Sequence, residues 1–403
     1  MTSSYDFDST YERRGTHSIK WEFIVRNGAI EPWDEAHPER GEEQILPLWV
    51  ADMDFAAAPE IAQAIQARAN HPVYGYASIP RGYRELVAGW QQRRNGWQAN
   101  PDWVVPIPGI VPAMHLFVRQ FTAPGDGVLI QRPVYHPFTF AAERNGREVV
   151  SASLKIENGR YVMDFDDLER KASDPNVKAA LLCSPHNPVG RVWSADELNR
   201  YADICARNDV LVFADEIHGD LIMPGQIFVP YASVAAAQHG RFVVGTATSK
   251  TFNLAGLKLA NLLIPDADVR AQMNDEVRAS GLMGMNPLSI TATEAAYTHG
   301  EPWLNACIDY IASNDVYLRE FVAERMPKLG VIPLEGTYLV WLDFRAFGVD
   351  DESLADLLMN KARLYLDEGP IFGPEGSGFA RINIACARVT LAQALARLAG
   401  ALG

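Results

Sequence analysis

Cysteine is scarce in this chain. There are four in 403 residues (Cys183, Cys205, Cys307 and Cys386), with no C-x-x-C pair among them. That spacing argues against a zinc site and a disulfide framework, so no metal is expected. Positive charge is also in deficit: 36 Lys and Arg stand against 50 Asp and Glu, a net charge of −14, and no basic run stands out. A nucleic-acid partner is therefore not expected, and a small anionic ligand would need positive groups placed locally. No apolar run approaches the roughly 18 residues that a membrane span requires. The opening MTSSYDFDSTYERR has no apolar centre of the signal-peptide kind. A soluble protein of the reducing cytoplasm, with no membrane partner, is the expectation.

Apolar residues, by contrast, make up 48% of the chain, enough for a large core. From residue 59 onward, helical patterns such as PEIAQAIQARAN and SADELNRYADICARND alternate with short apolar runs. Those runs are GVLIQRP, REVVSASL, AALLCSP, VLVFADE, RFVVGTA and LANLLI. Several lack the in–out alternation of a half-exposed strand, as strands covered on both faces do. Ser194 and Glu197 form a capping-box pattern ahead of one helix. This texture predicts an α/β fold with a mostly parallel sheet. After residue 286 helices and strands segregate, which predicts a smaller α+β domain. The expected division is a large domain over residues 50–286 and a small one built from 1–49 and 287–403.

A parallel sheet places ligands beyond the carboxyl ends of its strands. Four loops at such ends are unusual. PGIVPAM opens a helix with Gly109, Ile110 and Val111, whose amides can hold a phosphate. CSPHNPVG sets Asn187 between two prolines. VFADEIHGD ends an apolar strand in Asp215, a carboxylate that needs a cationic partner if buried. GTATSKTFNLAG places Lys250 directly after an apolar strand, among Thr246, Thr248, Ser249 and Thr251. Taken singly, the first three have ordinary readings as a tight turn, turn chemistry and a structural salt bridge. GTATSKT resembles a nucleotide-binding P-loop, but that motif needs Gly immediately before Lys and Ser249 stands there, so the nucleotide reading is rejected. Together the four loops ask for a ligand with a phosphate, a ring that wants a carboxylate, a polar group for an amide, and a carbonyl for an amine. Pyridoxal phosphate meets all four demands.

In that order the loops resemble the class I/II aminotransferases of the pyridoxal-phosphate fold type I superfamily, and most closely their cystathionine β-lyase (C–S lyase, MalY/PatB-type) branch. The resemblance runs over nearly the full length, through LPLWVADMDFAAAP, VYGYASIPRGY, QRPVYHPF, SPHNPVGRVW, ADEIHGDL, TATSKTFNLAGLKLAN, EGTYLVWLDF and GPEGSGFARINIA. It implies the transferase fold type I, with a large domain around a seven-stranded-type sheet. It implies that Lys250 links to the cofactor aldehyde and removes the substrate proton, that Asp215 partners the ring nitrogen, and that Asn187 bonds the ring's 3′-oxygen. It further implies that Tyr135 stacks on the ring and that Gly109, Ile110 and Val111 hold the phosphate. Arg381 would bind the substrate carboxylate with its planar fork, with Tyr135 and Trp49 beside the substrate. Tyr76 would reach the cofactor of the partner subunit in a homodimer.

Some positions depart from the wider family. His218 lies where many transaminases place a tyrosine that also contacts the 3′-oxygen. Ala247 takes the slot of a phosphate-binding serine, leaving Thr248 or Ser249 to compensate. Lys258 replaces an arginine at the phosphate, and His136 follows Tyr135 where the lyase branch often shows a second tyrosine. The activity implied is cleavage of the Cβ–S bond of cystathionine, cysteine or S-substituted cysteines to a thiol, pyruvate and ammonia. An aminotransferase using a keto acid is the rival enzyme, because it needs the same residues up to the carbanion. A sensor without turnover is the rival from another class, and the filled catalytic positions disfavour it.

Overall fold

In a computed structural model the chain is described over residues 5–26, 29–36 and 45–403. Its contacts gather into two units: residues 57–308 with 335–337, and residues 1–56, 309–334 and 338–403.

The larger unit is built on seven strands: β1 Val104–Ile107, β2 Gly127–Ile130, β3 Glu148–Ser151, β4 Val177–Cys183, β5 Leu211–Asp215, β6 Phe242–Thr246 and β7 Ala260–Leu263. Their order across the sheet is β1-β7-β6-β5-β4-β2-β3. All run parallel except β7, which is antiparallel to both neighbours. Residues 211–215 and 242–246 are buried throughout, which is why these strands read as unbroken apolar runs. Helices of this unit include α1 Arg81–Asn95, α2 Ile110–Phe121, α3 Ala195–Arg207, α4 Thr248–Thr251 and α5 Pro287–His299. Helix α3 opens on the predicted capping box, with Ser194 Oγ accepting from Glu197 N–H at 3.2 Å and Glu197 Oε2 from Ser194 N–H at 2.9 Å. A Cβ at Gly245 would lie 2.8 Å from Ile110 Cδ1, so any larger residue there would make that side chain shift. The start of α2 is thus packed directly onto the end of β6.

The boundary between units falls after Ile308, inside the long helix Glu301–Arg325, rather than at residue 286. Packing accounts for the difference. Helix α5 lies along the helix Pro59–Asn70, and a Cβ on Gly300 would sit 2.5 Å from the Phe252 ring. Residues 287–308 therefore belong to the larger unit's wall.

The smaller unit carries a sheet in the order Gly330–Val331, Leu339–Asp343, Phe379–Asn383, Asp367–Glu368, antiparallel throughout. The N-terminal segment joins this unit through a buried ion cluster. Lys20, wholly buried, pairs with Asp54 at 2.6 Å, and Arg13 reaches Asp54 and Asp52 at 2.7 Å each.

Candidate active site

The carboxyl ends of β4, β5 and β6 converge within the larger unit, and three of the expected groups lie there. Asp215 is the last residue of β5, in register with Cys183 of β4 and Gly245 of β6. Its carboxylate is buried and accepts from Ile217 N–H at 3.2 Å. Among the described residues no cation lies within ion-pair distance of it. Burial pushes its pKa up to about 7, against the opposing effects of the Ile217 amide and the Lys250 charge. A carboxylate held in this way is adapted to a cationic group brought by a ligand. The structural salt bridge, its ordinary reading, is not what the structure shows.

Lys250 sits one strand away, on the single turn α4 that begins two residues after β6. Thr248 is buried, and its hydroxyl shares a hydrogen bond with that of Thr293 on α5 at 3.2 Å. Ser249 is only partly buried, and among the described residues no side-chain hydrogen bond of this kind holds it.

Asn187 is buried in the turn after β4, and Tyr135 N–H donates to its carbonyl at 3.0 Å, which ties the ring-stacking and amide candidates together. That turn is held by groups to which the sequence reading gave no role. Arg191, with no exposed surface, donates to Glu335 at 2.9 Å and to both oxygens of Glu197 at 2.8 and 2.9 Å. Glu335 N–H closes on Gly190 O at 2.9 Å. Burial opposes ionisation of Glu335, but Arg160, the Val192 amide and Arg191 together hold its pKa below the usual range. The signal was present as charges in GRVW and EGTY, yet nothing local pairs residues 144 positions apart.

In the candidate phosphate loop one of the three amides is already engaged. Gly109 adopts φ 127°, a conformation that favours glycine, and caps α2. Its own N–H already donates to Ile107 O at 2.8 Å. The amides of Ile110 and Val111, in the first turn of α2, are the ones available to an anion. His218 is buried in the turn after β5, and its carbonyl accepts from Leu221 N–H at 2.9 Å. Lys258 is exposed, at a left-handed position (φ 56°) that ends the turn 255–257. His136 meets Tyr135 edge-on at 5.0 Å. Cys183 is no rival nucleophile, because burial and the neighbouring Asp215 both push its thiol pKa up.

Tyr76 is fully exposed, in a stretch without regular structure where Val73 and Tyr74 are exposed as well.

The two remaining candidates belong to the smaller unit. Arg381, at the middle of the strand Phe379–Asn383, is 2% exposed. Its Nη2 donates to Trp49 O at 2.7 Å and to the Asp367 carboxylate, and its guanidinium lies 5.0 Å from the Phe372 ring centre. Asp367 was not anticipated. Trp49 is buried against Tyr365 at 4.6 Å, with its indole N–H on Lys20 O at 3.2 Å.

This arrangement of sheet, loops and lysine has counterparts of known family. Residues 43–398 match the model of aminotransferase class I and II, and the chain belongs to that family. Cystathionine beta-lyase PatB of Bacillus subtilis is 40% identical over 397 residues, covering 98% of this chain and all of that one. Among solved structures, a pyridoxal-phosphate-bound putative aminotransferase from Clostridium difficile superposes with a TM-score of 0.93 at 38% identity, over 99% of this chain and 100% of that one. Cystalysin from Treponema denticola, which contains pyridoxal 5′-phosphate, gives a TM-score of 0.92 at 37% identity, over 99% and 98% of the two chains. The fold is type I of the pyridoxal-phosphate enzymes.

Proposed function

We propose that the protein is a pyridoxal-phosphate-dependent carbon–sulfur β-lyase acting on cystathionine, cysteine or S-substituted cysteines. The observation that carries the reading is Asp215, a buried carboxylate with no ion pair among the described residues, one strand from the lysine-bearing turn. The residues fit the cofactor: the Ile110 and Val111 amides with Ser249 and Lys258 for its phosphate, Asn187 and His218 for its 3′-oxygen, Tyr135 for its ring face, and Asp215 for its ring nitrogen. When bound, pyridoxal phosphate supplies an aldehyde for the substrate amine and a ring that accepts the electron pair left at Cα.

The protein's own residues do the rest. Arg381 would hold the substrate carboxylate with its planar fork. Lys250 Nζ takes the Cα proton as general base. Asp215 would present its carboxylate to the ring nitrogen, favouring the protonated, electron-poor form of the ring. Cβ then loses its sulfur as a thiolate, a good leaving group because a thiol ionises near pH 8.5. Addition of water completes the balance, giving thiol, pyruvate and ammonia.

Purified protein given cystathionine should release homocysteine, read with a thiol reagent, without any added keto acid. L-Alanine, which has no leaving group, should give no comparable turnover. The aminotransferase reading is kept by relatives of that kind, among them the putative aminotransferase from Clostridium difficile, and turnover that requires a keto acid and releases no thiol would favour it.

The exposed Val73, Tyr74 and Tyr76 are apolar surface that a second copy of the chain would cover, and we read the enzyme as a homodimer. Inactive Tyr76→Phe and Lys250→Ala proteins, mixed under conditions of proven subunit exchange, should regain part of the activity, because one hybrid site has both wild-type residues. No regain would place the whole site within one chain. The four cysteines are buried and none is in a disulfide, which fits a reducing cytoplasm, and no helix among the described residues is long and apolar enough to cross a membrane.

Asp215 also sets a pH dependence in protein stripped of cofactor. Its folded pKa lies above its unfolded value of 3.8, so the folded chain holds the extra proton. The stability this contributes is full below pH 3.8 and is lost as pH rises through about 7. Denaturant midpoints of wild type relative to Asp215→Asn should fall over that window, and parallel profiles would contradict the assignment.

A further inference from the structure

Five residues beyond Asp215 the chain turns inward. Gly219 N–H donates to Glu216 O at 2.8 Å and Leu221 N–H to His218 O at 2.9 Å, and the turn delivers Asp220 into the interior, 8% exposed. Among the described residues no cation lies within ion-pair distance of Asp220. Each carboxylate oxygen is met instead by a neutral donor: Trp90 Nε1–H on Oδ1 at 3.0 Å and the Thr251 hydroxyl on Oδ2 at 2.8 Å. Burial pushes the pKa of Asp220 up against those two bonds.

Both donors are anchored. Trp90, on α1, stacks on Tyr297 at 4.9 Å and meets Phe252 edge-on at 5.7 Å. Thr251 is the last residue of α4 and comes directly after Lys250. A four-residue helix has almost no stability of its own, so the direction in which it presents its side chains depends on what holds its ends. One end is held by Thr248 on Thr293, and the other by Thr251 on Asp220.

We infer that Asp220 is a positioning residue for Lys250: through the Thr251 hydroxyl it fixes the far end of α4 to the turn beyond Asp215 and to Trp90. The tie is a hydrogen-bonding one. An asparagine at position 220 can accept from Trp90 with its oxygen and donate to Thr251 with its amide. The Thr251 proton then turns to Ala247 O, already 3.4 Å away.

The inference rests on the reading of Lys250 as the cofactor lysine, and one experiment separates the two. Cofactor-free protein is mixed with pyridoxal phosphate, and the link at Lys250 is trapped with borohydride, located by peptide mass and timed across pH. Thr251→Val and Asp220→Leu should each slow the linkage about tenfold and displace its pH profile. Thr251→Ser and Asp220→Asn should stay within about twofold of wild type, and the Thr251→Val/Asp220→Leu double variant should be no slower than its slower parent. Thr251→Val with the wild-type rate and profile but a lower thermal midpoint would reduce the contact to ordinary stabilisation and overturn the inference. Asp220→Asn as slow as Asp220→Leu would overturn the hydrogen-bonding account. If wild type itself forms no link at Lys250, the reading of Lys250 fails instead.

Discussion

Lys250→Ala should lose turnover by about 10²–10⁴-fold or more, since general-base catalysis alone is worth that much. The variant should still bind pyridoxal phosphate, because the amides of Ile110 and Val111 and the Asp215 carboxylate are untouched. Bound cofactor in that variant should no longer become covalently fixed on borohydride treatment, whereas in wild type the label should map to Lys250. The placement of the residue supports this expectation: it stands on a one-turn helix at the carboxyl edge of the sheet, one strand from a buried acid. Near-normal activity in the alanine variant would remove the foundation of the functional reading.

Asp215→Asn should be nearly as severe, with turnover down by about 10²–10³-fold, the range seen when one preorganised electrostatic group is removed from a site. The amide preserves shape and can still accept from Ile217 N–H, so the fold should survive. What is lost is the negative charge that keeps a ring nitrogen protonated, and with it the ring's capacity to take electrons from Cα. Steady-state kinetics should show the loss in kcat more than in KM. Equal loss of cofactor binding and turnover, with full activity restored at saturating pyridoxal phosphate, would instead mean that Asp215 only holds the cofactor in place.

Much of the fold was legible because its strands are buried on both faces. The runs VLVFADE and RFVVGTA carry no polar alternation, and the structure buries the strands within them, residues 211–215 and 242–246, throughout. The loops after them were legible because chemistry-bearing residues stand just past strands at the sheet's carboxyl edge. The remainder depended on contacts across long stretches of chain. Nothing local in PGIVPAM says that Gly109 N–H is spent on Ile107 O, because this depends on how the loop folds back at φ 127°. Asp367 reads as one of two adjacent acids in LYLDEG, and its pairing with Arg381 comes only from antiparallel strand register. Arg191 with Glu335, and Asp220 with Trp90, are likewise pairings that only the assembled larger unit brings together. The boundary between the two units differs from the expected domain boundary for a similar reason. Helix α5 and the long helix Glu301–Arg325 have the same helical texture, and only packing assigns α5 to the larger unit.

The most direct measurement of the account tracks the fate of substrate and cofactor together. Wild-type holoenzyme is given cystathionine alone, and homocysteine, pyruvate and ammonia are quantified alongside the final state of the cofactor. The account predicts the three products in equal amounts over many turnovers, no requirement for a keto acid, and cofactor recovered as pyridoxal phosphate. Accumulation of pyridoxamine phosphate after one turnover, with no thiol released and further reaction only when a keto acid is added, would contradict it and establish an aminotransferase.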